Sequence, residues 1–526
     1  MILGGLGVVA AAVAVAVAIL LPPGRARAAA MVLALVLFPI LILGDQWNSA
    51  QIVDLRDSPT RLIGLGLAGL ALAIALAATF RRWPIVLPLA IVFALPFRIP
   101  LHAGGDTANL LVPLYVVIAG GVLSAAWGEW TSRGAARAGG GGGGASRGSG
   151  VLFFAQTAWR EEGRARRKTQ RPAEAPPRPS GPARLLPAVL AAVVVLYSLQ
   201  ALYSPDFSKS LQNVCFFFVP FSLVYVLLRD VAWTRKLLVL VLWVVALEAV
   251  AFVVVGSVEY LSRELFWNGQ VIRSNAFHTY FRVNSIFWDP NIYGRYLALA
   301  IVIAMAALLW ARGRRALALL SALVAILWIG LVPTFSQSSF TALLAGLAVL
   351  AALRWSWRWT AAAVAVVVAF GVLVVLFAGG VSKLSPDRLN VDTGGRANLV
   401  SGGGELFAQR PLWGYGAGGF PAAYREHVAT GKTPVSVSHT EPVTVAAEQG
   451  LIGLAAYAAL LVAALWTMSS GLFGARAGPA RQAILAAFVA LLVHTMAYAG
   501  FYEDPITWVL LAAGASLAAA PVRTET

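Results

Sequence analysis

Long unbroken apolar runs, separated by short polar loops, dominate the chain. They lie near 1–21, 29–44, 62–80, 84–97, 108–127, 185–203, 214–228, 237–255, 291–310, 316–332, 339–353, 360–379, 443–468, 483–500 and 506–520. A hydrocarbon core about 30 Å thick takes roughly 20 apolar residues as a helix. Backbone groups find no water there, so only helices or a closed barrel can cross it. Continuous runs favour helices over alternating strands, and several runs are short, so about 12 to 15 spans are expected. The fold class this predicts is all-α, a polytopic helical membrane bundle. The first run, Met1 to Leu21, has no basic region before it and no clear small-residue cleavage site. It reads as a first spanning helix and not as a removed signal peptide.

Three polar stretches interrupt the pattern and divide the chain. Spans fill 1–127, and a linker follows over 128–184. Central spans occupy 185–380 and enclose a loop over 256–290. A large polar island covers 381–442, and the last spans lie in 443–526. The linker holds six consecutive glycines, Gly139 to Gly144, and a basic tail with prolines from Pro172 to Pro182. Such composition predicts disorder. No Gly-Lys-Ser/Thr follows the glycines, so they are not a phosphate loop.

Composition supports the membrane assignment: 59% of residues are apolar, 12% are charged, and the mean hydropathy is +0.77. The net charge of +17 could suggest nucleic acid, but the basic residues sit mostly in short loops between apolar runs. That is the distribution of the positive-inside rule, and it excludes nucleic acid as the expected partner. One set of alternating loops holds most of the Lys and Arg, including Arg25, Arg81, Arg229, Arg312 and Arg354, and is assigned to the cytoplasm. The loops 256–290 and 381–442 are then on the outer face, yet they too carry cations. An anionic ligand accounts for that better than topology does. The single cysteine, Cys215, rules out an intramolecular disulfide or a thiolate metal site.

The candidate chemistry gathers in those two loops. In the first, Asp289-Pro290 reads as a helix start, with Asp as N-cap and Pro at the first helical position. That leaves Arg282 as a candidate phosphate ligand, and Arg295, just inside an apolar run, as a partner for an acidic group. Asn291 follows the same helix start. In the island, Arg396 is flanked by Gly394-Gly395, and its planar fork suits a phosphate. Arg410 precedes the glycine-rich run Trp413 to Phe420, which either presents backbone amides to an anion or forms a compact loop. His439 stands where the chain re-enters the membrane, near Glu441 and Glu448, and can take a proton from a hydroxyl. The five histidines show no metal-ligand spacing, and Asp54 and Asp57, which flank Arg56, read as ordinary ion pairing before a divalent metal site.

The order of these residues resembles the O-antigen ligase and O-antigen polymerase (Wzy-type) superfamily. The resemblance rests on Arg396, then Arg410-Pro411-Leu412-Trp413-Gly414-Tyr415-Gly416 with Gly419-Phe420, then Ser438-His439-Thr440, then Glu448-Gln449-Gly450-Leu451-Ile452-Gly453. Upstream, Arg282 and Asp289-Pro290-Asn291 fit the same pattern. It covers roughly 270–460. Thr440 stands where an asparagine is usual, and Gln337 where many members carry arginine. The resemblance implies a GT-C-like glycosyltransferase of the bacterial inner membrane, with its site in one large outer-face loop domain. It implies an undecaprenyl-pyrophosphate glycan donor, a glycan or lipid acceptor hydroxyl, inversion, and neither metal nor cofactor. Arg282 and Arg396 match arginines that hold the pyrophosphate, and His439 matches the histidine near the acceptor. Asn291, Arg295, Arg410, Glu441 and Glu448 are the supporting candidates. Two alternatives stay open: a solute transporter, which should show broken helices and ionisable groups at mid-membrane, and a metal-dependent glycosyltransferase using polyprenyl-monophosphate sugars.

Overall fold

The computed structural model describes residues 2–49, 53, 58–103, 106–138, 182–277, 279–379, 395–429, 437–472 and 478–519. The first helices are α1 (Ile2–Leu20), α2 (Arg25–Asp45), α3 (Pro59–Arg82) and α4 (Val86–Ala94). A short antiparallel hairpin follows, β1 (Ile99–Ala103) paired with β2 (Asp106–Leu110) so that Leu101 faces Ala108. Then come α5 (Val112–Ala138), α6 (Pro182–Ala201), α7 (Phe207–Asn213), a π-turn over Val214–Phe218 and α8 (Val219–Leu228). The central group is α9 (Arg235–Ser262), α10 (Gly269–Phe277), α11 (Pro290–Trp310), α12 (Arg314–Leu331), α13 (Gln337–Arg354) and α14 (Trp357–Gly379). The chain closes with α15 (Arg396–Gln409), α16 (Phe420–His427), α17 (Glu441–Ser469), α18 (Pro479–Thr495) and α19 (Pro505–Ala519).

The chain is a multi-pass helical membrane protein. Among the described residues ten helical stretches are long and apolar enough to cross a bilayer, and four shorter apolar helices accompany them. Two expectations change. The run 84–97 yields only the nine-residue α4, about 14 Å long and too short to span. Pro96 has no N–H to continue the helical bonding, and the helix ends just before it. At the linker, α5 continues past 128 to Ala138. The glycine run and basic tail, the acidic pair Asp54 and Asp57, Lys432, and Asp392 to Gly394 lie outside the described residues.

The most buried spans are the α7–α8 stretch and α11. α11 packs on α12, α13 and α18, while α8 packs on α1 and α19. The outer surface of α3, α12 and α14 stays apolar, with Val366, Val367 and Phe370 exposed, as a lipid-facing wall requires. Arginines seal the helix ends at the face assigned to the cytoplasm. Arg229 donates to the carbonyls of Ile19 and Leu21 at the end of α1, and buried Arg27 reaches Val226 O at 2.8 Å and Asp230 at 2.5 Å. Cations there satisfy C-terminal carbonyls that have no intrahelical partner.

One break inside a span shapes everything near the opposite end. α17 is interrupted at Gly450, whose φ of 64° and ψ of −162° are not helical. The carbonyls freed by the break are taken up: Ala447 O accepts from Tyr415 N at 3.1 Å, Glu448 O from Gly416 N at 2.7 Å, and Gln449 O from Gln200 Nε2 at 3.1 Å. A Cβ on Gly450 would lie 2.4 Å from Leu412 O, and one on Gly414 (φ 67°) would lie 2.4 Å from Glu448 O. The two glycines therefore let two backbones meet. Gly450→Ala combines a left-handed φ with a backbone clash, and such strain costs on the order of 2 kcal/mol or more. It is expected to lower the apparent melting temperature of the purified protein in detergent. An unchanged melting temperature would show that the chain does not need this break.

Candidate functional site

The loop before α11 is pinned from three directions. Glu259, near the end of α9, accepts from Ser285 N at 2.7 Å, Asn284 N at 3.1 Å and Phe266 N at 3.5 Å. Asn275 of α10 pairs with the backbone of Arg282, accepting from its N–H at 3.0 Å and donating to its carbonyl at 2.9 Å. Asp289 caps α11 by accepting from Asn291 N at 2.6 Å. Arg282 is thereby held with its side chain turned inward. Its Nε donates to Thr334 O at 2.9 Å and its Nη2 to Asn291 Oδ1 at 3.2 Å. Asn291 Oδ1 also accepts from Ser336 Oγ at 2.9 Å, and Ser336 caps α13. Gln337, beside it, is exposed.

The second wall is the turn between α18 and α19. Glu441, the first residue of α17, accepts from Gly500 N at 2.7 Å and Phe501 N at 3.1 Å. Ala499 N donates to His439 O at 3.1 Å, which ties this turn to the candidate base. Asp504 forms a buried ion pair with Arg295 at 2.9 Å. Between them Tyr498 sits with its ring 6.2 Å from His439, 5.8 Å from His494 and 6.0 Å from the Arg295 guanidinium. His494 in turn shares a 3.1 Å hydrogen bond with Ser338 Oγ.

Arg396 and His439 both meet this turn. Arg396 opens α15 behind Gly395, which takes a φ of 87°, and reaches the carbonyl of Ala497 at 3.5 Å. His439 adopts a φ of 61°, in the left-handed region that non-glycine residues seldom occupy outside special sites. The flanking hydroxyls lock that turn: Ser438 Oγ lies 2.8 Å from both Thr440 O and Thr444 Oγ1 and accepts from Thr440 N at 3.2 Å. Burial lowers the His439 pKa below its ordinary value, the Arg396 charge lowers it further, and Asp289 opposes them. Burial also works against the charge on Arg282, which Asp289 supports and Arg396 repels. The fold thus brings Arg282, Arg396 and His439, from three separate segments, into one electrostatic neighbourhood.

Other candidates lie elsewhere or have structural partners. Arg295 is engaged by Asp504, and Glu441 by the amides of the α18–α19 turn. Glu448 accepts from Gly418 N at 2.8 Å and Phe420 N at 3.0 Å, so these amides of the glycine-rich run meet the protein's own carboxyl and not an anion. That selects the compact-loop option for this part of the run. Arg410 stacks on Tyr415 at 4.4 Å and lines an outer groove of about 530 Å³ with Tyr203, Leu412 and Trp413. Linear spacing did not reveal Tyr498, Asp504 and His494. Its only trace of them was a Tyr/Asp/Glu-bearing turn between the last two spans. Among the described residues no three His, Cys, Asp or Glu side chains are grouped as a metal ion would need.

A family model described as O-antigen ligase matches residues 322–458. The matched stretch runs from α12 into α17 and contains Arg396 and His439, whereas Arg282 and the α18–α19 turn lie outside it. This stretch, about a quarter of the chain, is similar to the O-antigen ligase family. No curated protein matches the sequence.

Since the Arg396 charge disfavours imidazolium, Arg396→Gln is expected to raise the His439 pKa. The midpoint of its pH-dependent modification by diethyl pyrocarbonate, followed by mass spectrometry of its peptide, should move to higher pH. An unmoved midpoint would separate the two residues. Glu448→Ala leaves two buried amides without acceptors, each costing about 1–3 kcal/mol. It is expected to expose the 411–420 segment to protease before the spans unfold, and an unaltered digestion pattern would contradict that role.

Proposed function

We propose that this membrane protein with an O-antigen ligase domain transfers a glycan from an undecaprenyl-pyrophosphate donor to an acceptor hydroxyl. The reaction takes place at the outer face of the bacterial cytoplasmic membrane, without a metal or cofactor. The observation that carries this reading is that Arg396 and His439 both meet the turn before α19, and that the Arg396 charge is felt at both His439 and Arg282. Two guanidinium groups that repel each other, one of them largely buried, gain from an anion between them. A neutral imidazole alongside supplies the base.

In the reaction His439 takes the proton from the acceptor hydroxyl as its oxygen bonds to the anomeric carbon. The bond from that carbon to the pyrophosphate oxygen breaks, and its electron pair leaves with the pyrophosphate. Arg282 and Arg396 stabilise the charge that grows on that oxygen, and they are already held in position when it appears. Attack opposite the leaving group inverts the anomeric centre. Thr334, Asn291 and Ser336 hold Arg282, Arg295 and Asp504 join α11 to α19, and Glu441 and Glu448 fix the loops. Most of the Lys and Arg lie in the alternate loops, assigned to the cytoplasm, which supports a periplasmic or exterior site.

Alanine at Arg282, Arg396 or His439 is expected to lower turnover by about a hundredfold or more. The assay uses purified protein in nanodiscs with a lipid-pyrophosphate glycan. Full turnover by any one variant would remove that residue from the assignment. A base that must be neutral, with its pKa lowered, keeps the rate up until the pH falls below the ordinary histidine range near 6.5. Activity should persist in chelator. Loss of activity on chelation would favour the metal-dependent alternative, and substrate flux without transfer would favour a transporter.

A further inference from the structure

The cytoplasmic ends of α11 to α14 form a cationic patch that the site on the other face does not use. Trp310 ends α11, Arg312 lies in the link to α12, and Arg314 and Arg315 open α12. Arg354 ends α13, and Arg358 is the second residue of α14. The two links are neighbours in space, because the Arg354 guanidinium stands 5.9 Å from the Trp310 ring. α13 packs on both α11 and α14, which holds these helix ends together. Arg358 in turn stands over Trp357 at 5.6 Å.

The surrounding chain does not answer this charge. The sequence has no Asp or Glu from 290 to 386. All five arginines are exposed, and among the described residues none forms an ion pair. Helix dipoles explain only one of them. Arg354 suits the C-terminus of α13, but Arg314, Arg315 and Arg358 lie in the first turns of α12 and α14, where the dipole disfavours a cation. Neither of those first turns carries an acid. The tryptophans around the patch fix its depth. Trp355, Trp357 and Trp359 are 70%, 61% and 80% exposed, and tryptophan settles at the headgroup level of a bilayer. The arginines therefore stand among lipid headgroups and not in open water.

We propose that this patch binds an anionic glycerophospholipid of the inner leaflet. Its phosphate lies between the α11–α12 and α13–α14 links, and its acyl chains run along the exposed apolar surface of α12 and α14. The charge selects the partner. Guanidinium forks fit a phosphate, whereas a zwitterionic headgroup brings its own cation to a patch that has no carboxylate to receive it. The Trp310 and Trp357 rings orient Arg354 and Arg358 beforehand, so the arginines lose little freedom when the phosphate arrives. The inference stands apart from the glycan-transfer reading.

The test is native mass spectrometry of the full-length protein in detergent, titrated with phosphatidylglycerol and phosphatidylcholine of the same acyl chains. The unaltered protein is expected to bind phosphatidylglycerol about tenfold or more tightly than phosphatidylcholine. The double variant Arg314→Gln, Arg358→Gln should lose about tenfold or more of the phosphatidylglycerol affinity, as two surface arginines near anionic lipid would supply. Its phosphatidylcholine affinity should not move. The double variant Arg235→Gln, Lys236→Gln removes the same charge from the start of α9, on the same face, and should leave the preference intact. Excess inorganic phosphate should not displace the lipid. Equal affinity for the two lipids in the unaltered protein overturns the inference, since the headgroup would not be read. Equal loss in the α9 variant overturns it in favour of diffuse attraction, and displacement by inorganic phosphate overturns it in favour of a free-anion site. A readout without substitutions checks the fold as well: phosphatidylglycerol should raise the melting temperature of the unaltered protein above its value in phosphatidylcholine, and equal values in the two lipids would contradict a bound lipid that ties the links together.

Discussion

Buried carboxyl groups bonded to backbone amides hold the loops from which the candidate site is built. Glu259 takes the amides of Asn284, Ser285 and Phe266, Glu441 those of Gly500 and Phe501, and Glu448 those of Gly418 and Phe420. At a membrane boundary a turn cannot count on water for its N–H groups, and a carboxyl cannot count on water for its oxygens. One carboxyl with two acceptor oxygens satisfies neighbouring amides together. Each of these glutamates lies on a long span, so each loop inherits the position of a helix. The same bonding consumes acids that would otherwise neutralise the arginines. The site is cationic because much of its acidic complement is already committed to the fold.

Arg295 and Asp504 extend this logic into the bundle. Their ion pair joins α11 to α19 with both side chains almost fully buried. Such a pair adds little net stability, because desolvation offsets attraction, but losing one partner strands a buried charge. Its use here is registration: α11 begins at the Asp289 cap beside Arg282, and α19 begins just after the turn that carries Tyr498. Fixing one helix start against the other sets the distance between the two walls of the site. Among the described residues Arg295 Nε and Nη1 have no hydrogen-bond partner, so the pair does not use up the donors of Arg295.

The spans were legible in the sequence because lipid demands long apolar helices, and that demand leaves a plain linear trace. The run 84–97 misled because its apolar character continues through Pro96, which cannot donate the next helical hydrogen bond. Arg282, Arg396 and His439 were legible as candidates through their order and flanking residues. Their convergence was not, since it depends on how α11, α15 and α17 pack. Tyr498 has no motif around it and reaches the site only through the turn before α19. Glu441 and Glu448 were visible as acids near His439, but only their amide partners distinguish a support from a reactant.

The break in α17 bears on whether this site is fixed or moving. A transporter uses a broken helix by leaving carbonyls open to an ion and by letting one half rock against the other. Here Tyr415, Gly416 and Gln200 occupy the carbonyls around the break. The glycine-rich run is therefore the partner of the break, with Gly414 and Gly450 back to back where neither tolerates a side chain. Unwinding further would cost several buried hydrogen bonds at once. A rigid break suits the proposed transfer better than transport, because charge that appears on a leaving group is best met by cations that need not rearrange. Gly450 therefore acts at a distance: it seats the loop on α17, and α17 carries Glu441 and the entry to His439.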